Sequence, residues 1–397
     1  MLVTRIIGTC PGCKTPNAFG NVNIHNNMLT RGCGVCSFQQ SFLLPELSKT
    51  VIYLDQSFFS HAFRDELKEF KTCISLIIEA AHNQLLVCPR SSLHETETFQ
   101  WRDKRSESLW EFIKHTSRGH KFAPAYRIKH EQILRAFQRY LANDQSPFPV
   151  LRSDALDDDV NEWEDYLSIE VELQKDDPEE TRASKQDTSS KLPALFESWR
   201  NGNLTFEEHF RYELETAGKM YLQAYLDMAT RIAAGDLAAS LDAPIDSGIV
   251  EMLLTELDSD GNPLEQLQQV AQFFASDYFR EVPYEYISSG LITVLRDRVR
   301  EGKYANAEKA KQRLSGLYFD INHIAAHAPY CHAMFVDSEM HDYASDSRLR
   351  LTAHYGTVFF SKSNMSEFES YLRSILETRT RELAEALDLV YPKMRTC

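Results

Sequence analysis

The sequence predicts an α/β protein whose small parallel sheet is interrupted by a large all-helical insertion and preceded by a cysteine-rich module. Short apolar runs typical of buried parallel strands lie at about 51–54 and 85–88, and return only at about 331–336 and 357–360. Between the two pairs of runs, the chain carries helix-type periodicity almost throughout. Two C-x2-C pairs stand ahead of the first strand.

The cysteine-rich module contains Cys10, Cys13, Cys33 and Cys36, with nineteen residues between the two pairs. Two such turns direct four thiolates at one point, which suits tetrahedral zinc. A redox or disulfide role and a different metal are the alternatives. Because the chain supplies all four ligands, no coordination position is left for a substrate. We therefore predict a structural zinc ribbon over residues 1–46.

Three elements follow the ribbon. They are a strand at about 51–54, a helix at about 58–83 and a strand at about 85–88. Ser92 and Glu95 then form an S-x-x-E capping box, which predicts a helix through about Phe112. We assign residues 47–118 to the first part of the α/β domain.

Residues 119–280 are predicted to be an all-helical insertion. The segments with helix-type periodicity here and just beyond are Tyr126–Leu141, Phe206–Ile232, Ile249–Leu257, Leu264–Phe274 and Ser288–Val299. Residues 185–191 (KQDTSSK) are the best candidate for a flexible loop. Residues 281–397 complete the α/β domain and end in a helix at about 365–390.

The composition limits the classes of function that fit this sequence. The 397 residues are 43% hydrophobic and carry a formal net charge of −15, with much of the acid excess between about 154 and 180. This charge disfavours coating of a long nucleic acid, although a local basic strip can coexist with an acidic remainder. No apolar run approaches the roughly 20 residues that span a bilayer. The N-terminus does not resemble a secretory signal, so we expect a cytoplasmic protein without a membrane partner.

Four carboxylates stand at the ends of elements that are far apart in the chain. Asp55 and Asp337 each directly follow a predicted strand, Glu97 lies just beyond another, and Asp320 opens a helix-like stretch. Ligands of open α/β sheets collect at the carboxyl ends of the strands. Clustered acids stay ionised only when a cation neutralises them, and a divalent ion is the usual one. The pattern predicts a metal site.

Two of these positions have local alternatives. Asp55 is suited to cap the helix that follows it. Glu95 competes with Glu97, because residues two apart on a helix point roughly 200° apart and cannot easily reach one ion. Glu95 already has a role in the capping box, so we favour Glu97.

Asp320 shares a helix face with His323 and His327, at offsets of three and seven. The histidines are interpreted as packing residues, with groove lining and a D-x2-H-x3-H zinc site as alternatives. Asp337 can instead be a turn former. The reserve candidates nearby are His332, Asp342 and Asp346.

These segments resemble those of PIN-like nuclease domains. The matching segments are 51–57 (VIYLDQS), 89–98 (PRSSLHETET), 320–324 (DINHI) and 328–337 (APYCHAMFVD). In this resemblance, the family's acidic metal-binding positions fall on Asp55, Glu97, Asp320 and Asp337. The resemblance covers roughly residues 50–115 and 280–390. Proteins with a similar proline-tyrosine-cysteine stretch often carry aspartate where this chain has His332, which predicts one negative charge fewer near the site.

The resemblance implies a three-layer α/β/α sandwich, one or two catalytic Mg²⁺ or Mn²⁺ ions, and single-stranded RNA as the usual substrate. Substrate contacts must then come from basic residues. Arg102 and Arg105 flank the Glu97 helix, together with Arg90, Lys104, Trp101 and Trp110. A second basic stretch consists of Arg296, Arg298, Arg300 and Lys303. Either could track phosphates, and the alternative for each is an ordinary solvated helix face.

The resulting hypothesis is a metal-dependent endonuclease that hydrolyses phosphodiester bonds, most often in single-stranded RNA, with a structural zinc ribbon. The main alternative is a catalytically weak PIN-like scaffold that binds nucleic acid or protein through the ribbon and the insertion. Another metal-dependent phosphohydrolase is a third option. The insertion is also the expected surface for a homo-oligomer or protein partner.

Overall fold

The computed structural model describes residues 2–64, 67–99, 105–156, 159–164, 191–236, 238–239, 246–257, 261–304 and 307–392. Within them the protein is mixed α/β, as the sequence predicts, with one antiparallel and one parallel four-stranded sheet. Every helix in this part of the chain is too short or too polar to cross a membrane. Arg102, Trp101 and Lys104 lie outside the described residues, as do residues 185–190 of the loop predicted at 185–191, while Lys191 begins a helix.

The helices account for most of the described chain. They are α1 Gln56–Arg64, α2 Lys68–His82, α3 Ser92–Phe99, α4 Arg105–Ser117, α5 Ala125–Leu141, α6 Lys191–Arg200, α7 Phe206–Ala233, α8 Ser247–Thr255, α9 Pro263–Phe274, α10 Asp277–Arg280, α11 Pro283–Arg300, α12 Ala307–His327, α13 Ser338–Ala344, α14 Leu351–Tyr355, α15 Met365–Glu377 and α16 Arg381–Val390. Short 3-10 turns lie at Arg152–Asp154, Ala328–Tyr330 and Lys362–Asn364.

Some predicted helices are two helices in the structure. The stretch 58–83 divides into α1 and α2, and the closing helix divides into α15 and α16. The second break occurs where the Thr380 hydroxyl accepts the Leu383 N–H and so caps α16. The side-chain cap supplies an acceptor for a backbone N–H that would otherwise lose its helical hydrogen bond. The cap therefore lowers the free-energy cost of interrupting the helix.

The parallel sheet lies where the apolar runs predict it. Its strands are β5 Thr50–Leu54, β6 Leu86–Val87, β7 Ala333–Phe335 and β8 Val358–Phe360, in the order β6-β5-β7-β8. Both faces of β5 are buried, because Val51 and Tyr53 pack in one hydrophobic core while Ile52 and Leu54 pack in another. Helices cover the sheet on both sides, which explains why these strands are continuously apolar.

A third hydrophobic core is built from helices alone. It joins α5, α7, α8, α9 and α10 through buried residues such as Phe137, Tyr221, Ile249 and Phe273. The predicted helical character of this central region is confirmed for its described residues, although their boundary with the α/β part stays a prediction. In particular, α5 contributes Ile128 to the sheet's core and Ile133 to the helical core.

The N-terminal sheet is a four-stranded antiparallel meander. Its strands are β1 Arg5–Gly8, β2 Phe19–His25, β3 Met28–Cys33 and β4 Gln39–Leu43. Asn26 and Asn27 connect β2 to β3 with φ values of 47° and 56°. Asparagine tolerates this left-handed backbone well, and two such residues in succession are typical of a tight hairpin turn.

The ribbon is docked on the C-terminal end of α16. The side-chain amide of Asn21 donates to the Val390 carbonyl at 2.8 Å, Arg31 donates to the Leu389 carbonyl, and Arg5 donates to the Pro392 carbonyl at 2.7 Å. The last carbonyls of a helix have no partner within the helix, so these donors satisfy them. Two of the ribbon's basic residues, Arg5 and Arg31, therefore contact this chain's own helix end.

A buried ion cluster fixes the segment 159–164 beside the start of β5. Lys49 is fully buried and donates to the Glu162 carbonyl, and it lies 3.5 Å from the Glu164 carboxylate. Arg118 and His120 contact the same carboxylate at 2.5 and 3.5 Å. Burial alone would raise the pKa of Glu164, but a hydrogen bond from His120 and the charges of Arg118 and Lys49 lower it to about 2.

Replacing Glu164 by alanine is expected to lower the free energy of unfolding by about 3–5 kcal/mol, because it leaves the Lys49 ammonium buried without its counter-charge. Urea denaturation measures this. Because the folded-state pKa is depressed, the contribution of Glu164 is present above about pH 4.5 and is lost as the pH falls towards 2. Glu162→Ala is the control: its side chain is exposed and Lys49 contacts only its carbonyl. A similar loss in both variants would contradict the assignment.

Candidate functional site

A small pocket lies at the carboxyl ends of the two central strands. It is lined by Tyr53, Asp55, Asp320, His323, Ile324, Val336, Asp337 and Met340, and it holds about 250 Å³, including space open to solvent. Asp55 directly follows β5 and Asp337 lies two residues after β7. Leu54 and Phe335 are paired across these strands, which brings the two aspartates to the same edge.

Asp320 reaches the pocket from α12. The sequence places it at the start of a helix, but α12 begins at Ala307, so this detail of the prediction is wrong. Apolar positions facing the sheet continue upstream of Asp320, for example at the buried Leu314 and Leu317, and they extend the helix. Three of the four predicted carboxylates thus line one pocket.

Asp55 combines its two predicted roles. One carboxylate oxygen accepts the Gln56 N–H and the other accepts the Ser57 hydroxyl, both at 2.8 Å, so the side chain contacts the first residues of α1 while it lines the pocket. Burial raises the pKa of Asp55, the Ser57 hydrogen bond opposes this, and the charge of Asp337 raises it further. Neutral hydrogen-bond donors therefore orient the Asp55 side chain, and they do not compensate the negative charge of the neighbouring Asp337.

Glu97, and not Glu95, lies within electrostatic range of the pocket. Glu95 is exposed, whereas Glu97 is half-buried and its charge contributes to raising the pKa values of Asp320 and Tyr53. The next residue, Thr98, is fully buried and accepts a hydrogen bond from the Gln56 amide at 2.9 Å. This bond joins the residue after Asp55 to the residue after Glu97, and so sets the two acidic residues relative to each other.

The predicted capping box at the start of α3 is shifted by one residue. The Ser91 N–H donates to His94 Nδ1 at 2.9 Å, so His94 makes the back-bond expected of Glu95, while the His94 N–H donates to the Ser91 carbonyl and not to its hydroxyl. His94 Nε2 also contacts the Leu54 carbonyl at 2.7 Å, and burial lowers the pKa of His94 to about 4. A neutral His94 that accepts at Nδ1 and donates from Nε2 therefore ties α3 to the end of β5.

Negative charges are crowded at the pocket. The pKa of Asp320 is raised well above its usual value, first by burial and then by the charges of Asp55, Asp337 and Glu97, while Arg313 opposes the shift. Carboxylate oxygens are the ligands that Mg²⁺ and Mn²⁺ prefer, so the donor set fits such an ion. Among the described residues, however, no three of these carboxylates come within 4.8 Å of one another. Mg²⁺ is usually held by one or two carboxylates and several waters, which this spacing allows.

Aromatic rings form the floor of the pocket. Tyr53 is stacked between His94 and His327, with ring centroids 5.2 and 4.9 Å away, and its hydroxyl lies 3.1 Å from His323 Nδ1. Burial raises the pKa of Tyr53 well above 10 and lowers that of His327 to about 3. His327 thus packs as a neutral ring between Tyr53 and Phe122, as the packing interpretation predicts, but among the described residues neither of its ring nitrogens has the hydrogen-bond partner that a satisfied packing histidine requires. His323 is buried and lines the pocket.

Arg313 and Glu339 adjoin the pocket and were not among the candidates. Asp337 accepts the Met340 N–H with Oδ1 and contacts Arg313 Nη2 with Oδ2, at 2.7 and 2.8 Å. Arg313 Nε donates to Glu339 at 2.6 Å. A signal was available in the sequence, because Arg313 lies seven residues before Asp320 and so shares its helix face. Tyr53, Gln56 and Thr98 carry no comparable signal, since their roles depend on contacts between distant elements. The contact of Ser57 with Asp55 is local and spans two residues.

Two reserve candidates lie away from the carboxylates. His332 precedes β7, at the opposite end of the strand from Asp337 and roughly 16 Å of extended chain away. It accepts the Val51 N–H and contacts Arg152 at 2.6 Å, so an aspartate lost at this position removes no charge from the pocket. Asp342 is exposed and faces Arg298 and Lys303 at 3.7 and 3.6 Å.

The predicted substrate-binding residues are only partly described. Arg105 is the first residue of α4 and is exposed. Trp110 is buried, which removes it as a stacking platform for bases. In the second basic stretch, Arg296 is buried, and the stretch pairs with acidic residues, among them Asp297, Glu301 and Glu339. That stretch is therefore a structural ion-pair network.

The four ribbon cysteines form a compact cluster. Their sulfur atoms all lie within 4.8 Å of one another, and the Cys10–Cys36 and Cys13–Cys33 pairs are each 3.7 Å apart. Tetrahedral zinc with bonds of about 2.3 Å places its sulfur ligands roughly 3.8 Å apart. Backbone N–H groups of Val35 and Cys36 point at the Cys33 sulfur, as they do around a metal-bound thiolate. The cluster is compatible with zinc.

Comparison with known proteins adds no identification. No protein-family model matches the chain, and no curated protein or solved structure does so either. The assignment of the pocket therefore depends on its geometry and chemistry.

Proposed function

We propose that this protein is a metal-dependent endonuclease with a PIN-like α/β domain, which hydrolyses phosphodiester bonds and takes single-stranded RNA as its substrate. The observation that carries the proposal is the pocket at the carboxyl ends of β5 and β7, which is lined by Asp55, Asp320 and Asp337. The parallel sheet covered by helices on both faces supports the fold part of the proposal.

The residues that would hold a divalent ion are Asp55, Glu97, Asp320 and Asp337. When bound, such an ion lowers the pKa of a coordinated water and stabilises negative charge on the phosphate. The chain's own contribution is to present oxygens with fixed orientations. Ser57 orients Asp55, and the Gln56–Thr98 bond holds the Glu97 helix against it.

The neutral floor of the pocket has a separate role. Tyr53 and His94 carry no charge at neutral pH, because burial keeps the phenol protonated and the imidazole unprotonated. They therefore do not compete with the ion for the carboxylates. His94 is not placed to act as the general base, because the Ser91 N–H occupies its Nδ1 and its Nε2 contacts the Leu54 carbonyl. Tyr53 lines the pocket and closes one side of it against water, which strengthens electrostatic interactions within it.

The shape of the pocket favours a polymer over a small molecule. Sites for small ligands enclose about 300–1,000 Å³, whereas the cavity volume of this pocket is about 10 Å³, which is room for about one water molecule. An open site that contacts one phosphate at a time suits a chain laid across the edge of the sheet. The choice of RNA over DNA comes only from the resemblance to PIN-like nucleases.

The alternative scaffold has one observation in its favour. Arg313 already pairs with the Asp337 oxygen that does not cap a helix, so the pocket holds a resident positive charge. A scaffold would bind nucleic acid or protein without cleaving it.

Labelled single-stranded RNA, single-stranded DNA and duplexes, incubated with the full chain and Mn²⁺, Mg²⁺ or EDTA, test the proposal. Cleavage of single-stranded RNA that requires the metal supports the enzyme. Binding without cleavage in either metal supports the scaffold. If the protein neither binds nor cleaves any of these nucleic acids, the enzyme and the nucleic-acid-binding scaffold are both refuted.

Glu97→Gln and Glu95→Gln provide a matched pair on one helix. We expect Glu97→Gln to reduce cleavage about 100-fold, because it removes a carboxylate that acts on the pocket. Glu95→Gln should stay within about twofold of the wild type, since Glu95 is exposed. Initial cleavage rates at saturating Mn²⁺ measure both. A larger loss for Glu95→Gln would reverse the assignment of the two residues.

A further inference from the structure

Arg313 contacts Asp337, one of the carboxylates that line the pocket, and also Glu339. Its side chain is 45% exposed and projects from the same face of α12 as Asp320, two turns earlier. It therefore stands at the rim of the pocket with part of the guanidinium accessible to solvent.

The two carboxylates that hold Arg313 differ in their other contacts. Asp337 has one oxygen committed to the N-terminus of α13 through Met340 N–H, so Oδ2 is the oxygen left for a metal ion. That oxygen is the one that Arg313 contacts at 2.8 Å. A divalent ion on Asp337 Oδ2 would repel the guanidinium from this position.

Glu339 would retain Arg313 when that happens. It accepts hydrogen bonds from the hydroxyls of Tyr304 and Tyr343, and the Lys303 ammonium lies 3.6 Å away. Its other oxygen accepts Arg313 Nε at 2.6 Å. Glu339 thus remains in place independently of the metal, and a guanidinium bonded through Nε keeps both terminal nitrogens available for a new acceptor.

We propose that Arg313 is a phosphate-binding residue of this pocket: its terminal nitrogens transfer from Asp337 to a non-bridging oxygen of the scissile phosphate, while Glu339 holds its Nε. The inference deepens the proposed function and depends on it. Arginine suits this role because its planar fork matches the oxygens of a phosphate. Arg313 is then a catalytic residue and Glu339 a positioning residue.

The test uses Arg313→Gln and Arg313→Lys in the full chain, with Arg298→Gln as the control. Arg298 also pairs with carboxylates, among them Asp342 and Asp346, but away from the pocket lining. The measurements are Mn²⁺ affinity of the RNA-free protein by calorimetry, affinity for a phosphorothioate-substituted RNA, and kcat and KM for cleavage.

We expect Arg313→Gln to bind Mn²⁺ as tightly as the wild type or several-fold more tightly, because a competing cation is gone. Its kcat should fall about 100-fold and its affinity for the substituted RNA about tenfold. Arg313→Lys should recover part of the lost kcat and RNA affinity, since lysine keeps the positive charge but lacks the planar guanidinium. Arg298→Gln should match the wild type.

Other outcomes separate the failures. If Arg313→Gln cleaves at the wild-type rate while Asp320→Asn is inactive, the role of Arg313 is wrong and the proposed function stands. Reduced Mn²⁺ affinity in Arg313→Gln, with unchanged RNA affinity, would mean that Arg313 only orients Asp337, which also overturns the inference. A wild-type protein that neither cleaves RNA nor binds Mn²⁺ refutes the proposed function itself.

Discussion

Asp320→Asn is expected to abolish metal-dependent cleavage and, at the same time, to make the metal-free protein more resistant to unfolding. In the metal-free protein, burial and the charges of Asp55, Asp337 and Glu97 disfavour ionised Asp320. Asparagine removes the charge and nearly preserves the shape. The same change removes a metal-binding oxygen, so we expect a loss of activity on the order of 1,000-fold.

The sign of the stability effect follows from the pKa. Asp320 has a folded-state pKa raised well above its ordinary value of 3.8, so the folded protein binds more protons than the unfolded chain above that pH. The free energy of unfolding of the metal-free protein therefore falls as the pH rises from about 4 through the folded-state pKa. Asp320→Asn should flatten this decline and raise the melting temperature in EDTA at neutral pH by on the order of 3 °C.

Thermal unfolding in EDTA and in Mn²⁺, at several pH values, measures these effects. Mn²⁺ should stabilise the wild type, because an ion that binds only the folded state shifts the equilibrium towards it, and should not stabilise Asp320→Asn. Asp342→Asn is the control, because Asp342 is exposed and faces Arg298 and Lys303. An Asp320→Asn protein that is less stable than the wild type in EDTA would show that Asp320 has a favourable partner, and would count against a metal site.

Apolar runs in the sequence predicted the parallel strands well, because burial on both faces of the sheet alone determines this pattern. The runs ending at Leu54, Val87, Phe335 and Phe360 are strands because both faces of the parallel sheet are buried. Helix breaks were missed where the sequence stays compatible with a helix. One helix ends at Glu377 and Thr380 begins the next through a side-chain cap, and nothing in the periodicity of residues 365–390 marks this break.

The carboxylates of the site could be predicted from the sequence where they directly follow a strand. Asp55 and Asp337 followed directly from the ends of two strands. Helix geometry allowed only one of Glu95 and Glu97, and the choice of Glu97 depended on a capping role for Glu95 that His94 takes in the structure.

His332 was misplaced because the resemblance suggested that position, although the direction of the chain puts His332 at the amino end of the run 333–336 and Asp337 at its carboxyl end. The position of Arg313 on the helix face of Asp320 could have been read from the sequence. Its ion pair with Asp337 could not, because it joins α12 to the start of α13, and contacts between distant segments leave no local pattern.

Cys33→Ser is expected to release the zinc and to unfold the ribbon. Cys33 is fully buried and its sulfur receives two backbone N–H groups, so a serine at this position loses the thiolate that a tetrahedral site requires. Structural zinc contributes about 10–16 kcal/mol to the folding of small zinc modules. The ribbon's own apolar core is small, with Ala18 and Phe19 as its buried non-cysteine members, and cannot replace that contribution.

The effect should reach α16, which lies far from the cysteines in the sequence. An unfolded ribbon withdraws the donors Asn21, Arg31 and Arg5 from the carbonyls at the end of this helix. Hydrogen exchange with mass spectrometry should therefore show faster exchange in residues 381–390 as well as in residues 19–33, with zinc content falling from about one per chain to none. Cys73→Ala, which removes a buried thiol outside the cluster, should keep the zinc. If α16 stays protected while the ribbon unfolds, the three carbonyl contacts contribute nothing to its stability, and the ribbon is an independent module.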